Sequence, residues 1–130
     1  MTPFGEKVRE LRSSRGGTLK EMAEAIGVSA PYLSALEHGR RGRPSWYLVQ
    51  RIIAYFNVIW DEAEELVRLA DLSHPRIVSK TAGMTPRATE LCNKLAASVA
   101  GLAEDDLRHL IAELDAAVAR SARTRVRARG

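Results

Sequence analysis

Three arginines, Arg40, Arg41 and Arg43, fall within four positions of one another, directly after a short segment, Ala30 to Glu37, that reads as a helix. A guanidinium stays charged at physiological pH and presents a planar fork of donors that matches phosphate or carboxylate oxygens. Residues of this type at this spacing are equipped to hold a polyanion. Catalysis has no comparable basis. His38, His74 and His109 lack metal-ligand spacing and have no cysteine pair near them, so neither a metal nor another cofactor is expected. No strained glycine elbow presents a serine as a nucleophile, and the chain is not expected to be an enzyme. Glu37 ends the same segment and is expected to make a hydrogen bond or ion pair inside the domain.

The net charge of +4 conceals a segregation along the chain. Residues 1–57 carry nine Lys/Arg against five Asp/Glu, residues 58–119 carry six against eleven, and residues 120–130 carry five Arg and no acid. Positive charge therefore collects at the two ends, which suits contact with a polyanion; a merely solvated basic surface is the alternative. Cys92 is the one cysteine, which excludes an intrachain disulfide and a multi-cysteine metal site. Its expected role is as a small buried core residue. No charged-then-apolar leader opens the sequence, and the longest apolar run, Leu95 to Ala103, is far shorter than a bilayer span, so a cytoplasmic protein with no membrane partner is expected.

With 130 residues, 45% apolar content and few aromatics, the chain suits one all-α domain with an extension. Thr2-Pro3 opens a first helix carrying Phe4, Val8 and Leu11 and ending near Arg15. Thr18 to Glu21 is a capping box, in which each side chain satisfies a backbone donor of the other residue, and a second helix follows through Met22, Ala23 and Ile26. A tight turn at Gly27 leads to the third helix, which stops at Gly39. Pro31 disfavours a helical conformation at Ala30. Ala30 is thus the expected cap and Pro31 the first helical residue. Ser45 caps a fourth helix with Leu48, Val49, Ile52, Ile53 and Phe56 on its apolar face, and Asp61 to Glu64 cap a fifth.

The GEKVRELR opening, the TLKEMAEAIGVS helix and turn, the SALEHGRRGRPS exit and the run Ile52, Ile53, Ala54, Phe56, Asn57, Val58 together resemble the Cro/CI-type (XRE family) helix-turn-helix domain of bacterial and phage DNA-binding regulators. The resemblance covers residues 4–58 and implies a compact five-helix, lambda-repressor-like unit with its third helix in the major groove of double-stranded DNA. It also implies a reading surface at the early exposed positions of that helix, here Ser29, Ala30, Pro31, Tyr32, Ser34 and Ala35. None of these is Arg, Asn or Gln, so the bidentate pairs that dominate direct base readout are missing. Ala30 and Pro31 can press on thymine methyls or sugars, and Tyr32 and Ser34 offer one hydroxyl each. Specificity is therefore expected to come largely from DNA shape, methyl contacts and dimer spacing.

Phosphates are expected at Thr18 and Lys20, at the start of the second helix, and at Arg40, Arg41 and Arg43. The position where the family often carries a phosphate-binding Gln is Leu19 here, a departure that leaves this contact to the backbone, Thr18 or Lys20.

The expected organisation is a DNA-binding domain over residues 1–71, a linker over 72–84, a helical hairpin over 85–119 and a basic flexible tail over 120–130. Thr85-Pro86 starts the first helix of the hairpin, with Leu91, Leu95 and Val99 on one side. Glu104 to Asp106 suit the positive start of the second, which bears Leu107, Leu110, Ile111, Leu114 and Val118. These residues are more than two isolated helices can hide in each other. They either pack back on the first domain or mediate a homodimer, and dimerisation is favoured because it would match inverted half-sites. The resulting expectation is a homodimeric, sequence-specific transcriptional regulator on an inverted-repeat operator, with the choice between repressor and activator left open. The competing class is an antitoxin-like module whose hairpin binds a partner protein; RNA binding ranks last, without an aromatic sheet surface.

Overall fold

The computed structural model describes residues 1–129, which form seven α-helices and, among the described residues, no strand. The chain divides into two compact units, Met1–Val78 and a second beginning at Ser79.

The first unit holds α1 (Pro3–Ser14), α2 (Leu19–Ile26), α3 (Ala30–Glu37), α4 (Trp46–Phe56) and α5 (Asp61–Asp71). Four of the five start on a side-chain hydroxyl that accepts from the backbone three residues on: Thr2 from Gly5 at 3.0 Å, Thr18 from Glu21 at 3.1 Å, Ser29 from Tyr32 at 3.1 Å and Ser45 from Leu48 at 3.2 Å. Each satisfies one of the donors that a helix start leaves without an intrahelical partner. Their apolar stripes converge on one core, in which Phe4, Val8, Met22, Leu33, Leu36, Ile52, Phe56 and Leu66 are almost wholly buried.

Three local expectations need correction. Ser29, not Ala30, caps α3, because alanine has no acceptor to offer and a proline at the second helical position gives up an N–H that had no partner anyway. Within the α2 capping box, the Thr18 hydroxyl donates to the Glu21 carboxylate at 3.0 Å, so the return bond runs between side chains. The cap position of α5 is Trp60, at φ 55° and ψ −122° with no capping side chain, and Asp61, Glu62 and Glu64 act as negative charge in the first turn.

The segment expected to be a linker from residue 72 begins as part of the core. Ser73 is buried; its hydroxyl accepts from the Phe4 N–H at 2.9 Å and donates to the Leu69 carbonyl at 2.6 Å. Ser73→Ala removes the acceptor of a buried backbone donor. It is expected to destabilise the unit by about 1–3 kcal/mol, seen as a lower urea midpoint with an unchanged slope.

The second unit consists of α6 (Pro86–Ser98), a 3-10 turn at Val99–Gly101 and α7 (Glu104–Arg129). Thr85 caps α6, accepting from Ala88 at 3.3 Å. No residue of either helix is buried. Cys92, expected in a core, is only half-buried, with its sulfur 4.0 Å from the Ser79 hydroxyl. Continuing to Arg129, α7 takes in the basic segment expected to be a flexible tail. Alanine and arginine are among the strongest helix formers, no Gly or Pro interrupts the run before Gly130, and basic residues suit a helix C-terminus. Among the described residues no helix is long and apolar enough to cross a membrane.

Candidate nucleic-acid interface

Alpha-helices 2 and 3 are joined by Gly27-Val28-Ser29, and α3 turns one side inward and one outward. Leu33, Leu36 and Glu37 are buried, whereas Pro31 and His38 are exposed and Ala30, Tyr32, Ser34 and Ala35 are half-buried. The structure thus places the six expected reading residues together at the start and along the open side of α3, with Ser29 exposed at its cap. Ala30 and Tyr32 also pack against the core, which leaves them less free than their sequence positions suggest.

The inward side anchors the helix. Arg12 of α1 forms an ion pair with Glu37, and a second guanidinium nitrogen lies 3.5 Å from the other carboxylate oxygen. The carbonyl of Glu37 accepts from the Thr2 backbone N–H at 3.1 Å. Glu37 therefore has the internal role expected of it. Beyond it, Gly39 sits at φ 80°, and a Cβ there would lie 2.9 Å from the Thr2 side chain; both the turn and the space favour glycine.

The three arginines separate after that turn. Arg40 is exposed and has no ion pair among the described residues. Arg41 lies over the Tyr32 ring, 5.5 Å from its centroid, which joins the loop to α3 by a cation–π contact. Arg43 pairs with Asp71 at the end of α5 and is thus engaged within the unit. Thr18 and Lys20 are exposed in the first turn of α2. Leu19 packs against the core, which accounts for an apolar residue at that position.

Residues that the sequence reading left out complete this side. An open cleft of about 500 Å³ is lined by Val28, Ser29, Tyr32, Ser45, Tyr47, Leu48 and Arg51. Arg51 donates to the Ile26 carbonyl at 3.3 Å, which closes the end of α2. Tyr47 and its neighbour Trp46 are exposed and meet edge to face, with centroids 5.3 Å apart. The available signal was periodicity: Tyr47, Arg51 and Ala54 fall on the face of α4 opposite its buried stripe.

With this geometry in place, a family model described as a helix-turn-helix domain matches residues 3–66. Residues 3–66 of the first unit are thus similar to a helix-turn-helix domain. Curated proteins are similar to segments of the chain of comparable length. An uncharacterized HTH-type transcriptional regulator, RghRB, of Bacillus subtilis is 34% identical over 61 residues, 47% of this chain and 44% of that protein. The HTH-type transcriptional regulator DdrOP3 of Deinococcus deserti is 43% identical over 53 residues, 41% of this chain and 40% of that protein. SinR of Bacillus subtilis, also an HTH-type transcriptional regulator, is 32% identical over 55 residues, 42% of this chain and 50% of that protein. The matched segment thus spans half or less of these relatives' lengths. Each is named as an HTH-type transcriptional regulator.

Proposed function

We propose that the chain is a sequence-specific regulator of transcription that binds double-stranded DNA as a homodimer on an inverted repeat. Alpha-helix 3 lies in the major groove, Arg40 and Arg41 rest on phosphates, and the helix pair α6–α7 joins the subunits. The observation that carries this reading is the two-sidedness of α3: one side is fixed to the core through Leu33, Leu36 and Glu37, and the other presents Pro31, Ser34 and Ala35 beside the exposed Arg40 and an Arg41 held over Tyr32. A rigid helix with a shallow, small-residue face can approach base edges closely. Thr18 and Lys20 supply further phosphate contacts, and Arg43 joins them only by leaving Asp71.

Selection of bound fragments from random DNA tests the proposal, the expected product being two inverted half-sites about one helical turn apart. On the selected site, Arg40→Ala with Arg41→Ala is expected to weaken binding similarly for all sequences. The slope of log affinity against log salt should shrink by about 1.8, or about 0.9 per lost phosphate contact. An unchanged slope would remove both arginines from the interface. Exchange of central base pairs outside the contacted half-sites should also change affinity, since shape carries much of the specificity.

A second reading keeps the DNA-binding domain but gives the helix pair a different protein as its partner, in the manner of an antitoxin. It is favoured by the exposure of Leu91, Leu95, Val99, Leu110, Ile111, Leu114 and Val118, which a heterologous partner could equally cover; Leu107 is half-buried. A light-scattering mass of two chains for the purified protein supports the homodimer, and a mass of one chain supports the second reading.

A further inference from the structure

The apolar face of α7 lies on a helix whose two halves carry opposite charge. Residues 104–119 hold five acids and one arginine, and residues 120–129 hold five arginines and no acid. The acidic half is partly balanced within itself, since Arg108 approaches Glu104 at 3.9 Å and Asp105 at 3.4 Å. Among the described residues the ion pairs involve none of Arg120, Arg123, Arg125, Arg127 and Arg129. Because the helix is continuous to Arg129, its charge separation is held along a rod of roughly 40 Å at 1.5 Å per residue.

We infer that two copies of this chain pair through α7 in antiparallel orientation, the acidic half of each helix lying against the basic half of the other. This inference rests on the homodimer proposed above and specifies its geometry. Parallel pairing would set acid against acid and arginine against arginine, at a cost in both halves. Antiparallel pairing makes both halves attractive, and the two-fold axis repeats every contact.

Full overlap of the two helices sets Glu104 opposite Arg129 of the partner subunit, Asp106 opposite Arg127 of the partner subunit and Glu113 opposite Arg120 of the partner subunit. Between these flanking charges the same pairing lays Leu107, Leu110 and Leu114 of each helix in the seam, with Ser121 and Thr124 continuing it toward the C-terminus. Arg108 meets Arg125 of the partner subunit as a like-charge pair, and Arg108 is the arginine already neutralised within its own helix.

Charge reversal in the full-length protein tests the orientation. One variant carries Asp106→Arg, Glu113→Arg and Asp115→Arg, and the other carries Arg120→Glu, Arg123→Glu and Arg127→Glu. Each is measured by light scattering, with helix content followed by circular dichroism. Wild type is expected at the mass of two chains and each variant alone at one chain, while an equimolar mixture returns to two. Either variant alone keeping the two-chain mass, or a mixture that stays at one chain, overturns the antiparallel pairing while the homodimer stands. Wild type at one chain overturns the homodimer itself.

A crosslinking arm guards against variants that lose helix. In a Cys92→Ser background, Asp106→Cys and Arg127→Cys chains are expected to form a disulfide when mixed and none when kept apart. Crosslinking of Asp106→Cys to itself would mark a parallel pair and sink the inference.

Discussion

Arg12→Ala is expected to cost the helix-turn-helix domain about 3–5 kcal/mol, because it leaves a buried carboxylate without its partner. Glu37 is 3% exposed, so water cannot take over from the lost guanidinium. A domain of this size is stable by only about 4–12 kcal/mol at 0.05–0.15 kcal/mol per residue. The loss should therefore lower the melting temperature by more than about 12 °C, at 4–8 °C per kcal/mol for a small domain. Replacing both partners, Arg12→Met with Glu37→Leu, should be milder than Arg12→Ala, since no charge is then stranded. A double variant at least as unstable as the single one would contradict this account. DNA affinity should fall with the single change even below the melting transition, because Glu37 fixes the inner side of α3.

Gly5→Ala is expected to be nearly as damaging, and its sign is diagnostic. In an open helix this change would gain about 1 kcal/mol from helix propensity. Here a Cβ at Gly5 would run into the carbonyl oxygen of Glu37 and lie 2.7 Å from both its carbonyl carbon and its Cα. Backbone cannot swing aside as a side chain does, so α1 must move off α3. A loss of about 3 kcal/mol, at the upper end for overpacking, is expected by thermal or urea unfolding. A more stable Gly5→Ala protein would mean that the two helices do not approach as described.

These two residues also mark the limit of sequence reading. The caps at Thr2, Thr18, Ser45 and Thr85 were legible because a hydroxyl and its backbone donor are three residues apart, and the buried stripe of α4 because periodicity is local. Gly5 looked like an ordinary residue of an amphipathic helix. Only the approach of a segment thirty residues away makes it indispensable. Ser73 was assigned to a linker for the same reason: its polar surroundings in sequence say nothing of the Phe4 N–H it serves.

At the proposed interface, the residues expected to read bases lie together because helical spacing alone places them so. Among the arginines, spacing could not tell Arg43, drawn to Asp71 across 28 positions, from Arg40. Trp46 and Tyr47 stand among apolar residues in sequence, though the period of α4 places Tyr47 outside. The extension of α7 to Arg129 has no core pattern to announce it, and a basic segment of that kind reads as flexible. Intrinsic propensity was the better guide there.

The bond from the Phe4 N–H to Ser73 spans 69 positions and fastens the first turn of α1 to the end of the last helix of the domain. As the chain leaves the ribosome, Phe4 emerges early but cannot find its acceptor until Ser73 has also cleared the exit. The first turn of α1 is thus made well before it can be secured, and closing so long a loop belongs to the slow, non-local part of folding. A nascent chain arrested before Ser73 should carry a frayed start to α1, open to protease, beside helices whose contacts are already nearby.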